Sequence, residues 1–409
     1  TTFGADGIKR PSDDGQFGVA FRYFSEALDT EFGLFAMNVH SRVPLISGRK
    51  AVMAEGNYFS ATADATSDAI LEGVLQKQGL DAATAAATLD GLQAGVAAYN
   101  ADAIASLVEL GVAGLAGLTS SSGVPFGVDP ATYYVDFPED QQLAGVSFAT
   151  NIAGVAVSGE LTHKLDVPVQ INTTQLVGAT LQADAIYTAT FESSLNAAIA
   201  QATLAGLTGA DAVAAGTAGA EATANAQVAA TLGDFGTEVL AIEDGEAAQG
   251  YKVFDVTQAQ VTAIKLFDQV LGANRYALVA EAGYTYVHDL DEDSTIKFKG
   301  TCNTAGTVCS NTVTEGSWGY RLRISGDYSD VFAGVNLSPV LSFAHDVEGR
   351  APDPGGNFIE DRQTIGLALN AEYANMYTAG LSYTMYEGGG DINGLDDRDY
   401  AAVTLGVQF

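Results

Sequence analysis

The last ten residues, Tyr400-Ala-Ala-Val-Thr-Leu-Gly-Val-Gln-Phe409, decide the fold. Counting back from the terminal aromatic residue, every second residue is apolar, namely Val407, Leu405, Val403 and Ala401. The residues between them are small or polar. Strict alternation of this kind predicts a β-strand with one apolar and one polar face. Such a strand suits a wall between lipid and a wet lumen, or the edge of a soluble sheet.

The alternation recurs upstream in ten segments, which pair into five hairpins and bring the predicted count to eleven strands. These segments are 16–25, 31–43, 143–151, 154–165, 258–267, 274–288, 317–327, 331–345, 362–373 and 377–387. Short connections and long connections alternate along the chain without exception. Short turns at one end and long loops at the other are typical of an outer-membrane barrel. The sequence therefore predicts an all-β, transmembrane, antiparallel β-barrel.

The barrel strands occupy residues 1–45, the hairpin 141–166, and residues 257–409 up to the terminal Phe409. Bacterial barrels have even strand counts, whereas the predicted count is odd. We therefore expect the chain to be the C-terminal part of a larger, even-stranded barrel.

Two Ala-rich inserts interrupt the strands on the long-loop side, which is extracellular in such barrels. Residues 46–140 carry apolar stripes at helical spacing between 60 and 118, and these stripes predict packed helices. Residues 167–256 are rich in Ala and Gly and could also be helical. Because their middle, 195–233, has few large apolar side chains, we expect its weakest part to be mobile or disordered.

Composition excludes several classes of protein. The formal charge of −32 argues against a nucleic-acid partner. A run of 18 apolar residues does not occur in the sequence, so no transmembrane helix is predicted, and a soluble protein or a membrane barrel remains. The two cysteines, Cys302 and Cys309, lie close together and suggest one local disulfide in an oxidising compartment, with a reduced pair as the alternative.

Alternation also assigns polar residues to the face that would line the lumen. This predicted set contains Arg22, Asn38, His40, Arg42, Glu160, Glu281, Arg321, Arg323, Asn370 and Glu372. Charges of both signs would either pair across the lumen or line a polar path. The aromatic girdles of the outer face are predicted at Tyr284, Tyr286, Trp318, Tyr320, Tyr373, Tyr377 and Tyr383.

Two other groups of residues are candidates for chemistry. His40 and Ser41 are adjacent, but alternation puts their side chains on opposite faces, so we expect no catalytic triad and no enzyme. A second group, Asp289, Asp291, Glu292 and Asp293, could bind Ca²⁺ through its carboxylates. It lacks the spacing of a known calcium loop, so a solvated acidic loop is the alternative, and no other cofactor is predicted.

Several segments, taken in order, resemble a known family. They are Asp14-Gly-Gln-Phe-Gly-Val-Ala-Phe-Arg-Tyr-Phe24, His40-Ser-Arg-Val-Pro44, Pro138-Glu-Asp-Gln-Gln-Leu143, Trp318-Gly-Tyr-Arg-Leu-Arg323, Val331-Phe-Ala-Gly-Val-Asn-Leu-Ser-Pro339 and the final strand. The sequence resembles the Gram-negative outer-membrane family catalogued as domain of unknown function 1302 (DUF1302). The resemblance covers the strands but not the Ala-rich inserts. It implies a porin-like channel associated with traffic of hydrophobic compounds, without catalytic residues.

Two functional hypotheses follow. The first is an outer-membrane channel or transporter for small hydrophobic molecules, with a helical cap on its extracellular mouth. The alternative is a surface structural or interaction protein, anchored by the barrel and assembling with a partner or another copy through the helical inserts. In either case the expected surroundings are outer-membrane lipid and lipopolysaccharide.

Overall fold

The computed structural model describes residues 7–53, 128–129, 131–207, 209–299, 313–390 and 393–408. The predicted helices between 60 and 118, both cysteines (Cys302 and Cys309) and the terminal Phe409 lie outside these residues. The chain divides into two compact units. Unit 1 comprises residues 1–46, 135–174 and 250–409, and unit 2 comprises residues 47–134 and 175–249.

Unit 1 is built on one antiparallel sheet of eleven strands. The strands of this sheet are β2 (Phe17–Ser25), β3 (Thr30–Val39), β8 (Gln141–Ile152), β9 (Val155–Gln170), β11 (Tyr251–Asp268), β12 (Arg275–Val287), β13 (Gly316–Phe332), β14 (Val335–Glu348), β15 (Gln363–Tyr373), β16 (Tyr377–Glu387) and β17 (Tyr400–Val407). Six shorter strands complete the numbering: β1 (Ile8–Lys9), β4 (Leu45–Arg49), β5 (Val52–Met53), β6 (Val128–Asp129), β7 (Thr132–Asp136) and β10 (Ala247–Ala248). Among the short strands, β1 pairs in parallel with β7, whereas β5 pairs with β6 and β10 with β4 in antiparallel fashion.

The eleven strands follow one another through the sheet in chain order, so each pairs with the strand before and after it. The predicted number of strands and their pairing as successive hairpins are confirmed. The strands β2 and β17 form the two edges and do not pair with each other. Short turns follow β2, β8, β11, β13 and β15 at one end of the sheet, and all the long connections lie at the other end. We call these the turn end and the loop end.

Two of the tight turns show how local chemistry fixes a hairpin. Ala153 and Gly154 join β8 to β9 with φ of 51° and 73°, and Ala333 and Gly334 join β13 to β14 with φ of 52° and 80°. Two successive positive φ values define the type I′ turn, whose twist matches that of the flanking strands. Glycine in the second position enters this region without a steric penalty.

Unit 2 contains two long helices, α1 (Thr173–Leu204, whose first two residues belong to unit 1) and α2 (Gly209–Leu240), with a non-helical residue at Gly233. The described residues within 195–233 lie almost entirely in these helices, whereas the sequence led us to expect mobility or disorder in their weakest part. Small side chains form this core: a Cβ on Gly216 would clash with the backbone of Ile199. Residues buried in the helices include Ala179, Ala183, Ala212, Ala220, Ala224, Val228, Phe235 and Val239. Close approach of small residues thus adds to the packing of the few large ones, such as Phe235.

A buried lysine ties the end of α2 to α1. Lys50 is 5 % exposed, and its Nζ donates to the carbonyls of Leu240 and Ile242 at 3.2 and 2.8 Å. The same ammonium lies 3.0 Å from Asp184 and 3.4 Å from Asp244. A cation at a helix C-terminus satisfies the last carbonyls and complements the helix dipole. Burial raises the pKa of Asp184, although the neighbouring Lys50 ammonium opposes the rise.

Within the described ranges, none of the helices is both long enough and apolar enough to cross a membrane.

Candidate functional site: the polar face of the sheet

Strand register sorts the side chains of the eleven-stranded sheet onto two faces, because residues directly opposite each other share a face. One transverse row of opposed residues runs through Arg22, Gly33, Ser147, Glu160, Gln260, Gly283, Gly319 and Asp346. We call the side that carries this row the polar face, and the opposite side the apolar face.

The polar face brings together seven of the ten polar residues that the sequence assigns to one face. They are Arg22, Glu160, Glu281, Arg321, Arg323, Asn370 and Glu372. In the next row, Glu281 lies directly opposite Arg321. Near the turn end of β14 and β15, Asn370 and Glu372 lie opposite Ser338 and Asn336. Seven members of the predicted set therefore share one face of the sheet, on the five strands β2, β9, β12, β13 and β15.

Asn38 differs from that grouping, because register places it opposite Phe17 and Gln142 on the apolar face. Its amide is buried and donates to Gly15 O at 2.9 Å and to Asp140 Oδ1 at 2.8 Å. The sequence of β3 is ambiguous, since Phe32 and Leu34 alternate with the equally apolar Phe35 and Met37. Neighbouring strands resolve the ambiguity: the Phe35 ring covers Gly145 on the polar face, where a side chain would clash.

His40 and Arg42 lie beyond β3, which ends at Val39, so the alternation rule does not apply to them. The buried His40 ring accepts the Asp140 backbone N–H at Nδ1 (3.0 Å), and its Nε2 lies 2.7 Å from the carbonyl of Asp14. These partners fit a neutral imidazole with its proton on Nε2. Ser41 Oγ donates to its neighbour Val43 O at 2.9 Å instead. His40 therefore joins two backbone segments at the loop end, and Arg42 is exposed.

Hydrogen bonds connect the polar face from strand to strand. Glu281 Oε2 accepts from Gln260 Nε2 at 3.0 Å and from Thr262 Oγ1 at 3.4 Å. Nearer the loop end, Lys164 Nζ donates to Gln258 Oε1 at 2.6 Å, and Gln258 Nε2 donates to Thr285 at 3.2 Å. These hydrogen bonds link the side chains of β9, β11 and β12 across the polar face.

A buried carboxylate at the loop end organises the connection between β14 and β15. Asp346 is 3 % exposed, and its Oδ2 accepts from Arg362 Nε at 2.8 Å and from the Ile359 N–H at 3.1 Å. Arg362 Nη2 reaches the same oxygen at 2.6 Å. The other oxygen, Oδ1, lies 4.0 Å from Arg321 Nη2. Asp346 is thus largely satisfied by residues 359–362.

The segment 349–361, which we call the strap, packs onto the polar face through Phe358. Its ring lies 3.4 Å from where a Cβ of Gly283 would be, and 3.1 Å from that of Gly319. These two glycines face each other across β12 and β13. Phe358 and Ile359 are both buried. Sequence reasoning missed Asp346, Arg362 and Phe358, although two opposed glycines in neighbouring strands are a detectable signal for a ring packed above them.

The apolar face has the opposite character. Each of the eleven strands presents at least one large exposed side chain there, and Leu405 in β17 is 82 % exposed. One such residue per strand is Val19, Leu34, Val146, Leu161, Val261, Tyr284, Leu322, Leu341, Leu367, Leu381 and Leu405. All the aromatic residues predicted for the girdles share this face by register. These aromatic residues lie toward both ends of the strands. Two further tyrosines on this face, Tyr276 and Tyr328, are hydrogen-bonded through their hydroxyls at the turn end.

The acidic group in the connection after β12 uses two of its carboxylates locally. Asp291 accepts the Asp293 N–H at 3.0 Å, and Glu292 accepts the Glu315 N–H at 2.7 Å. The side chains of Asp289, Asp291, Glu292 and Asp293 are exposed. Across the described ranges, no three His, Cys, Asp or Glu residues are arranged so that they could hold a metal ion.

The family described as "Protein of unknown function (DUF1302)" matches residues 1–409. The chain belongs to this family. The DUF1302 match spans the whole chain. The prediction that the chain corresponds only to a C-terminal portion of the family is therefore incorrect. The match also includes the Ala-rich inserts, which the resemblance drawn from the strands left out. No curated protein matches this DUF1302 chain significantly.

Proposed function

We propose that this DUF1302 protein is an outer-membrane β-barrel of a Gram-negative bacterium that passes or captures small hydrophobic molecules. In this proposal the turn end is periplasmic and the long loops, with their helical inserts, are extracellular. The observation that carries it is the apolar face, where every strand exposes large apolar side chains. Water would disfavour such a surface by about 25 cal/mol per Å², whereas lipid removes that cost. The proposal contains no catalytic step and requires no cofactor.

The spacing of aromatic residues supports a bilayer as the surrounding medium. Tyr276 and Tyr284 lie toward the two ends of β12, eight residues apart on the apolar face. At about 3.4 Å per residue they are separated by about 27 Å along the strand. A tilt of about 40° reduces this to about 21 Å across the membrane, close to the roughly 25 Å apolar band of outer-membrane barrels.

Closure of the barrel sets a further requirement. The edge strands β2 and β17 both run from the loop end toward the turn end. Two strands that run in the same direction cannot close a sheet by antiparallel pairing. We therefore propose that an odd number of additional strands lies between β2 and β17, which gives the even total of bacterial barrels.

The polar face supports a conduit. In a closed barrel, the hydrogen-bonded row around Glu281 and the guanidinium groups of Arg321 and Arg323 would face the lumen, and the strap would narrow it. A second candidate, a surface interaction protein anchored by the barrel, is favoured by one observation. Leu204 at the end of α1 is 88 % exposed, and Val213 in α2 is also exposed. Such apolar positions suit contact with a partner or a second copy.

Reconstitution separates the two candidates. The protein would be inserted into planar bilayers and vesicles, and ion conductance and uptake of an apolar fluorescent probe would be measured against protein-free membranes. A conduit conducts and accelerates uptake. Extraction by urea checks that the protein is inserted in the membrane. If an inserted protein shows neither ion conductance nor faster probe uptake, transport is rejected and the interaction candidate remains. In that case Leu204→Ser and Val213→Ser should reduce self-association or partner binding, measured by cross-linking in the membrane.

A further inference from the structure

Two arginines of the polar face, Arg321 and Arg323, are exposed and only weakly paired with carboxylates. Arg321 is 48 % exposed in its side chain and lies 4.0 Å from Asp346, whose carboxylate is already engaged by Arg362 and the Ile359 N–H. Glu281, directly opposite Arg321, accepts instead from Gln260 and Thr262. Among the described residues, Arg321 therefore has one ion pair, which is long and shared with Arg362, while the nearby Glu281 carboxylate is hydrogen-bonded to other side chains.

Arg323 has fewer polar contacts than Arg321. Its side chain is exposed, and its guanidinium has no hydrogen bond or ion pair to any residue in the described part of the chain. Arg321 and Arg323 are two positions apart on one strand, so both project from the same face about 7 Å apart along it. Two neighbouring guanidinium groups repel each other, and an anion that both can reach relieves that repulsion. Their fork geometry suits a carboxylate, which can accept two parallel hydrogen bonds.

An aliphatic patch adjoins these charges on the polar face. Val279 lies directly opposite Arg323, and Ile264 lies opposite Val279 in the next strand. Leu266 is two residues farther along β11 on the same face. Ile264 and Leu266 are 41 % and 49 % exposed. Exposed aliphatic side chains beside a cation on a water-facing surface are suited to an apolar chain that water would otherwise surround.

The other side of the arginines is lined by small residues. Ser342 lies opposite Arg323, and Ala344 lies opposite Arg321. Beyond them, Gly366 and Ala368 continue the same face of β15. The strap covers the neighbouring Gly283 and Gly319 through Phe358. On the turn side of the strap, the two arginines therefore have aliphatic side chains on one flank and small residues on the other.

We propose that Arg321 and Arg323 bind the carboxylate of an amphipathic aliphatic acid, whose chain lies on Ile264, Val279 and Leu266. The inference rests on the proposed conduit and names its cargo: single-chain acids rather than neutral hydrocarbons. The acid's charge compensates the two guanidinium groups, and its methylenes cover the exposed aliphatic side chains. Phe358 of the strap packs on Gly319, two residues from Arg321 toward the loop end, so the head group lies on the turn side of the strap.

The test measures equilibrium binding to the full chain in lipid nanodiscs, with empty nanodiscs as the blank. The probes are dodecanoate labelled with ¹³C at its carboxylate, dodecanol of the same chain length, and acetate. The R321Q/R323Q double variant should weaken dodecanoate binding by about 10- to 100-fold, as expected for lost hydrogen bonds to a charged group. Dodecanol should bind more weakly than dodecanoate to the parent and should be unaffected by the double variant.

Matched variants separate the contribution of the ligand's carboxylate from that of its aliphatic chain. Arg275→Gln removes a guanidinium on the same face that is already paired with Asp268 at 3.1 Å, and it should leave dodecanoate binding unchanged. Ile264→Ser should weaken dodecanoate binding and leave acetate binding unchanged. Arg321→Lys with Arg323→Lys keeps the charge and should restore part of the affinity, which excludes simple misfolding of the glutamine variant.

The outcomes distinguish this inference from the proposed function. Equal dodecanoate binding by the parent and by R321Q/R323Q, or equal binding of dodecanol and dodecanoate to the parent, would overturn the carboxylate site even if the barrel conducts ions. A barrel that binds dodecanoate through the two arginines but neither conducts nor accelerates uptake would retain the site and reject the conduit.

Discussion

The two faces of the eleven-stranded sheet are made of the same strands and yet differ in how their side chains are satisfied. On the polar face, side chains such as Gln260, Thr262 and Glu281 are hydrogen-bonded across strands. On the apolar face, side chains such as Leu367 and Leu405 remain exposed. Backbone pairing is common to both, so it cannot be the origin of the difference. This contrast is what the proposed barrel requires, with lipid on one side of the sheet and water on the other.

Loop-end packing sharpens this contrast. The strap covers only the polar face, where Phe358 rests on Gly283 and Gly319. The ion pairs at the two ends of the polar face also differ in burial. At the loop end, Asp346 is buried and paired with Arg362, whereas the Asp268–Arg275 pair at the turn end is exposed. The polar face therefore has a tightly built loop end and a solvated turn end.

The largest expected effect comes from placing a charge on the apolar face. Leu367→Arg should destabilise the membrane-inserted protein by about 2–4 kcal/mol, because an arginine near the bilayer midplane loses its hydration. Ala368→Arg is the matched control, since the adjacent residue projects from the polar face. Unfolding by urea in lipid vesicles measures both. Equal stability of the two variants would mean that the two faces are not in different media.

A smaller effect is expected at the loop end of the polar face. Asp346→Ala should cost about 2–3 kcal/mol, because it removes a buried carboxylate and leaves Arg362, itself partly exposed, without its partner. Denaturant unfolding measures the loss, and faster hydrogen exchange at Ile359 should accompany it. Asp268→Ala breaks an exposed pair and should cost less than about 1 kcal/mol. Similar losses in both variants would remove the distinction between the two ends.

Ion selectivity tests the polar face without changing stability. If the polar face lines the ion path of the proposed barrel, replacing Arg321 and Arg323 by Gln should shift the selectivity of the reconstituted protein away from anions, because two cations are lost from that path. The reversal potential in a salt gradient measures the shift. Arg398→Gln, in the exposed connection before β17, is the control and should leave the potential unchanged. An unchanged potential in the double variant would indicate that these arginines do not face the ion path.

The smallest expected effect concerns Asp353 in the strap. Burial raises its pKa, and the neighbouring Lys299 opposes that rise. Because the folded pKa lies above the unfolded value, folding favours the protonated form. Stability should therefore decrease as pH rises from the unfolded pKa of 3.8 through the folded pKa, and Asp353→Asn should remove this slope. Unfolding midpoints across acidic pH measure it, and Lys299→Gln should steepen it. A slope that Asp353→Asn leaves unchanged would contradict burial of this group.

The sequence by itself determined the strands, their pairing as hairpins and most of the polar face. Those features follow from local rules: alternation fixes which residues share a face, and turn residues such as Gly154 and Gly334 fix where a strand reverses. The rule fails in β3, where apolar residues occur on both sides and only the neighbouring strands decide that Phe35, and not Asn38, joins the polar face.

Only the tertiary structure decided the features that depend on partners distant in sequence. Lys50 meets Asp184 and the end of α2 only after the chain has folded, and nothing near it in the sequence indicates this. The two helices within residues 173–240 approach closely where Gly216 lies against Ile199, a contact that composition alone does not reveal. The strap likewise depends on three dispersed features: Asp346, Arg362 and the glycine pair beneath Phe358. Alternation describes one strand at a time, whereas these contacts form between elements and require the fold that brings them together.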